Sequence, residues 1–223
     1  IADPVVFKTA NGITVILSEN HKLPKVSFNL TVGNGQRLEG SKAGIASLAG
    51  ELITSGTTNR TKDDIDSKVD YIGASINASS TNLSLSSLTK HMETGLSIFS
   101  DILLNANFPQ SEFDRVVKQT ESSLMTVKSS PESMGANALM SALFAGHPYG
   151  EITTEATLAN IKRDDVANFY KQTFVPEGSF LVIVGDITKA KAEEVVNQYF
   201  GTWSGKAVAK VDYPSAKNLN GNR

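Results

Sequence analysis

Cysteine is absent from all 223 residues. That removes together a disulfide framework, a thiolate zinc site and a cysteine nucleophile. Export is compatible with such a composition without being required by it. Long apolar runs are missing too: the longest, such as Phe180–Val184, are far too short to span a bilayer. Neither sign of charge is in surplus, with 21 Lys and Arg against 23 Asp and Glu and a formal net charge of -2. There is accordingly no electrostatic case for nucleic acid or an anionic membrane, and the basic residues are not interleaved with aromatics. Histidine is scarce. His21, His91 and His147 fall in three unrelated segments, none with a second His or an acid at ligand spacing on a helix, so they do not form the convergent set a metal needs. No G-x-S-x-G elbow and no G-x-x-x-x-G-K-[ST] loop occurs. No basic, apolar leader opens the chain, so a signal peptide is expected to have been removed or never to have been present.

What is present describes an ordinary globular protein, 40% hydrophobic and 20% charged. A chain of this length can bury about 70% of its unfolded surface. Residues 4–19 read as two β-branched runs around Asn11-Gly12, a hairpin signal. Val26–Val32 alternates as a strand with one apolar face, and Gly33–Ser41 is turn chemistry. Thr61–Tyr71 reads as a helix with Thr61 as N-cap and acids in its first turn. Gly73 stops it. Ala74–Leu88 alternates as two Ser/Thr-rich strands turning at Thr81-Asn82. Helices follow at Met92–Leu104, Gln110–Lys128, Pro131–Phe144 and Arg163–Phe174, the third opening on a first-turn proline. Phe180–Val184 reads as a central buried strand and Lys189–Phe200 as a last amphipathic helix. Lys206–Arg223 is polar and aperiodic, a linker or tail. Strands, then helices, then a strand and a helix predict an α+β fold: one mainly antiparallel sheet with helices over one face.

One stretch organises the rest. In Gly44–Thr57, GIASLAGELITSGT, the residues Ile45, Leu48, Ala49 and Leu52 make one buried helical face, and Gly56 stands where a C-terminal cap belongs. Ser47, Gly50 and Glu51 share the adjacent face at the spacing by which zinc-peptidase helices present two imidazoles and a carboxylate. The helix with its trailing Gly-Thr resembles the zinc-binding helix of the insulinase/pitrilysin family, whose signature is H-x-x-E-H. Gly44, Ile45, Ala46, Leu52, Gly56 and Thr57 match the family pattern, whereas Ser47 and Glu51 stand in place of the two His ligands and Gly50 in place of the catalytic Glu. Aligned through Ser130-Pro131, the family's third ligand, a Glu, falls on Ser123. Arg37 and Glu39 echo a family G-x-R-x-E approach; a solvated loop with a local ion pair is the other reading. INASS, FPQSEF, GHPYG and LVIVGD extend the likeness over residues 5 to 204.

The resemblance implies a single family domain over residues 1–205, followed by a linker or tail at 206–223. It further implies the first domain of a longer, non-catalytic subunit that forms part of a chamber built from four such domains. No cofactor is expected in this chain; zinc would belong to a catalytic partner carrying H-x-x-E-H. The expected partners are that homologue and the subunit's own C-terminal domain. The isolated chain should then be monomeric, and its compartment periplasmic or otherwise exported, with the cytoplasm as the alternative. The family's peptide-pairing strand corresponds to Gly73–Ser80, which makes Asn77, Ala78, Ser79 and Ser80 candidate peptide-binding residues by main-chain strand addition. A strand covered within its own fold is the alternative. Rival readings of the whole are a zinc peptidase with unorthodox ligands and a structural scaffold subunit.

Overall fold

The computed structural model describes residues 4–33, 37–207 and 213. Strands β1 (Val5–Lys8) and β2 (Thr14–Glu19) form the expected antiparallel hairpin. Its tip is tied across the molecule, because the Asn11 side-chain amide donates to the carbonyls of Phe200 and Trp203, each at 2.8 Å. Next come β3 (Lys25–Thr31), α1 (Ile45–Leu52) and α2 (Lys62–Tyr71), and then β4 (Ser75–Ala78) and β5 (Asn82–Leu88). The Thr61 hydroxyl accepts from the Asp64 N–H while the Asp64 carboxylate accepts from the Thr61 N–H, a reciprocal cap that starts α2 where the sequence places it. Helices α3 (Met92–Asn105), α4 (Gln110–Lys128), α5 (Pro131–Leu143), α6 (Glu155–Ala159) and α7 (Arg163–Thr173) precede β6 (Phe180–Gly185) and α8 (Lys189–Phe200).

The sheet order is β1-β2-β6-β3-β5-β4. Only the β2–β6 pairing is parallel, so the sheet is mixed and mainly antiparallel. Alternation sends Val15, Leu17, Val26, Phe28, Leu30, Leu83, Leu85, Leu181 and Ile183 to one face, all of them buried. Helix α3 packs on β5 and on α8, α8 touches β2, and Phe99 meets Phe200 edge to face at 5.7 Å. Burying a side chain such as Phe28 contributes about 1.5–3 kcal/mol, and the continuous set of such residues is what holds the helical layer to the sheet. The opposite face carries, in one row across every strand, Val6, Ile16, Val182, Asn29, Ser84 and Asn77. It is apolar toward β1 and amide- or hydroxyl-bearing toward β4.

Some boundaries differ from the sequence reading. Helix α1 ends at Leu52, and Gly56, at φ 144°, joins a bridge to Thr61 in place of capping the helix. β6 is central, yet it is buried on one side only: Phe180 and Val184 lie on the open face. An unbroken apolar run does not by itself report two covered faces. α6 was not anticipated, being a short helix started by a Thr154/Thr157 cap. α5 forms as expected, but none of its residues is buried. Of the turn at 33–41, residues 34–36 lie outside the described residues, as does most of the 206–223 tail.

Candidate functional site

Helix α1 is positioned by its first turn. Gly44 precedes it at φ 109°, a conformation glycine tolerates, and the Glu39 carboxylate accepts from the N–H groups of Gly44 (2.6 Å) and Ala46 (3.3 Å). Burial pushes the Glu39 carboxyl above the ordinary carboxylate range, against the pull of those backbone donors, and the nearby Glu151 charge adds to the rise. Glu151 in turn accepts from the N–H groups of Glu39 and Gly40, both at 2.7 Å. Glu39 is thus a helix-capping residue and not one half of a local ion pair in a solvated loop.

On α1 itself, Ser47 and Glu51 are exposed one turn apart and Gly50 between them is buried. What buries Gly50 is backbone. A Cβ placed there would lie 2.6 Å from both Ser79 C and Ser80 N and 2.9 Å from Ser79 Cα. The end of the β4 strand therefore occupies the space into which a side chain at position 50 would project. Ser123 lies on the exposed part of α4, which packs against α1, and its hydroxyl donates to the Gln119 carbonyl at 3.1 Å. The positions that the sequence resemblance matches to metal ligands accordingly offer two hydroxyls and one carboxylate. That donor set does not fit zinc, which takes three or four N, S or carboxylate ligands in tetrahedral array. Among the described residues no group of three or more His, Asp or Glu is arranged to hold a metal ion. The three histidines stay apart. His21 is flanked by Asp186 (2.7 Å) and Glu19 (3.2 Å), and hydrogen bonding to Asp186 first and Glu19 second raises its pKa. His91 ends a short 3-10 turn, and His147 accepts from the Tyr149 N–H at 3.1 Å.

Among the described residues strand β4 lies at the edge of the sheet, paired only with β5. The Ser79 N–H donates inward to the Asn82 carbonyl at 2.8 Å. By the alternation of an antiparallel ladder, Asn77 and Ser75 also turn their main chain toward β5, whereas Ile76 and Ala78 direct theirs outward. The Asn77 side chain belongs to the open sheet face, and Ser79 and Ser80 lie over Gly50. Beside the end of this edge, between Ser80 and Thr81, the start of α1 and Phe169 and Thr173 of α7, is a cavity of about 410 Å³.

A second polar cluster escaped the sequence reading. Asp101, buried in the middle of apolar α3, accepts from Thr57 (2.7 Å), Asn59 (2.6 Å), Arg60 (2.5 Å) and Asn105 (2.8 Å). It pins the segment that follows α1 and so fixes the helix from its C-terminal side. The signal available was a lone acid inside an apolar helical stripe, LSIFSDILLN, which is expensive unless paired.

An α+β layer of this topology, with helix α1 set beside the β4 edge of a mixed sheet, is the fold of a metallopeptidase-type domain. The insulinase model (peptidase family M16) matches residues 14–157, and a model described as the peptidase M16 inactive domain matches residues 160–221. The chain belongs to the insulinase family, peptidase family M16. It is 22% identical over 206 residues to the uncharacterized zinc protease YmxG of Bacillus subtilis, covering 89% of this chain and 50% of that protein. It is likewise 22% identical over 200 residues to the mitochondrial-processing peptidase subunit beta of Lentinula edodes, covering 86% of this chain and 43% of the relative. The chain thus spans about half the length of the curated relatives it matches. In fold it is similar to an M16 inactive domain from Pseudomonas fluorescens, with a TM-score of 0.89 at 22% identity over 96% of this chain and 54% of that one. It is also similar to the periplasmic protease PqqL of Escherichia coli, with a TM-score of 0.81 at 15% identity over 97% of this chain and 26% of that one. Among the described residues no helix is long and apolar enough to cross a membrane.

Proposed function

We propose that this chain is a non-catalytic M16 domain, residues 1–205 with a linker or tail beyond, that contributes a wall and a peptide-pairing strand edge to a chamber completed by other family domains. The observation that carries the reading is at Gly50. The position of the catalytic Glu in the family is glycine, and the Ser79–Ser80 backbone lies within 2.6 Å of where even a methyl group would go. With Ser47, Glu51 and Ser123 at the ligand positions, the domain has surface to offer but no general base and no metal cage. Its partners on this reading are a homologue with an intact H-x-x-E-H, which would hold the zinc, and a second domain of its own subunit. The likeness to a protease described as periplasmic favours export.

Peptide would add to β4 through the outward N–H and C=O groups of Ile76 and Ala78, with Asn77, Ser79 and Ser80 bordering the docked strand. The test is co-expression with an H-x-x-E-H homologue and turnover of a quenched-fluorescent, unstructured peptide. A stable heteromer more active than the homologue alone is expected, and Ala78→Pro, which deletes one outward donor, should lower turnover while the heteromer still assembles. Unchanged turnover by the assembled proline variant would leave the domain a scaffold.

A further inference from the structure

The turn between β1 and β2 joins a reactive dipeptide to a long-range restraint. Asparagine is a labile residue, most of all before glycine, where no Cβ shields the following backbone nitrogen. That nitrogen attacks the side-chain amide carbon: the new N–C bond closes a succinimide ring, the C–N bond to the amide breaks, and ammonia leaves. Water then opens the ring to aspartate or isoaspartate. The chain has three Asn-Gly pairs, Asn11-Gly12, Asn34-Gly35 and Asn220-Gly221, of which the first lies among the described residues.

At Asn11 both nitrogens are engaged. The side-chain amide donates to the carbonyls of Phe200 and Trp203, each at 2.8 Å, and the Gly12 N–H donates to the Thr9 carbonyl at 3.1 Å. The Thr9 hydroxyl donates to the Asn11 side-chain oxygen at 2.6 Å, which polarises the amide toward attack, so it is the hold on the nitrogens that keeps the site quiet. Phe200 is the last residue of α8, where helix carbonyls lack intrahelical donors. The segment carrying both acceptors is itself anchored: Phe200 and Trp203 are buried, and the Trp203 indole donates to the Phe174 carbonyl at 3.3 Å.

We propose that Asn11 is a deamidation site gated by the docking of the Phe200–Trp203 segment. While the segment is seated, the ring does not close. When it lifts in a local opening, Asn11 is released and reacts. The change is one-way. A carboxylate offers only acceptors to the two carbonyl oxygens, and it stands at the negative end of the α8 dipole. Isoaspartate in addition lengthens the backbone of the turn. The dipeptide thus records the loss of the contact between the hairpin and the end of α8, and makes that loss permanent.

The test is peptide mapping by mass spectrometry of the chain kept at mildly alkaline pH, in native buffer and in urea. In urea Asn11 should convert as fast as Asn34 and Asn220; in native buffer it should convert on the order of tenfold more slowly, or less. Trp203→Ala removes the anchor of the segment and should raise the native rate at Asn11 toward the urea rate while circular dichroism still reports the fold. Asn11→Asp should lower the melting midpoint further than Asn11→Ala, because alanine leaves the two carbonyls unmatched whereas aspartate repels them. That comparison stands whether or not Trp203→Ala folds. Equal rates at Asn11 in the two solvents overturn the inference, as does an Asn11 that stays intact in urea, a folded Trp203→Ala as protected as the parent, or an aspartate variant no less stable than the alanine one.

Discussion

Replacing Gly50 by alanine tests the packing of the degenerate site directly. At an exposed mid-helix position the change stabilises by about 1 kcal/mol, since glycine lacks helix propensity. Here the added methyl would sit 2.6 Å from two backbone atoms of the Ser79–Ser80 peptide, where carbon atoms prefer about 3.5–4.0 Å. About 1 Å of separation must be opened, and neither side yields easily. Ser79 is closed onto Asn82 by a 2.8 Å hydrogen bond, and α1 is seated by Leu48, Ala49 and Leu52, all essentially inaccessible. Overpacking of this kind costs about 1–3 kcal/mol. Set against the propensity gain, Gly50→Ala should destabilise by about 1 kcal/mol, lowering the melting midpoint by about 2–4 °C for a domain of this size. Because the obstruction is backbone, Ser79→Gly should not rescue it. Calorimetry decides the matter: a midpoint raised by a few degrees would mean that the strand end gives way freely and that the site is not sealed.

The same geometry orders a second set of variants. The triple change Ser47→His, Glu51→His, Ser123→Glu, with Gly50 retained, should bind zinc by isothermal titration more tightly than the quadruple change that adds Gly50→Glu, and neither should be an efficient peptidase. Asp101→Asn should cost about 2–3 kcal/mol in urea unfolding, because it takes a charged acceptor away from Arg60 and the amide donors. Burial pushes the Asp101 carboxyl up, but hydrogen bonds from Thr57, Asn59, Asn105 and Arg60 outweigh it and hold its folded pKa below the ordinary aspartate value. Its contribution is therefore complete above the unfolded pKa of about 3.9 and is lost as pH falls through the folded value, so the gap between parent and Asp101→Asn should narrow on acidification.

Periodicity made most of the fold legible, and the reason is local. The Asn11-Gly12 hairpin, the Thr61 cap and the helix over Met92–Leu104 are written in residues close together in the chain, and each formed as read. The partners of strands distant in sequence were not legible. Nothing in Phe180–Val184 says that one of its sides pairs with Thr14–Glu19, or that its outer face stays open. At the site, the identity of Ser47, Gly50 and Glu51 was plain from sequence. That Gly50 meets the Ser79–Ser80 peptide, and that Glu151 and Glu39 act in series to cap α1, required the tertiary arrangement, because these residues are far apart in sequence.

The position of β6 has a consequence for how the chain is made. Its two neighbours, β2 and β3, are synthesised early, but the strand that joins them begins only at Phe180. Until then a nascent chain holds two separate pieces, β1–β2 and β3–β5–β4, each with an unpaired inner edge, although α3 is already available to cover β5. Long-range pairing of this kind closes slowly, and open edges invite wrong neighbours. Release of the last strand would complete the sheet in one step and bring Asn11 within reach of Phe200 and Trp203.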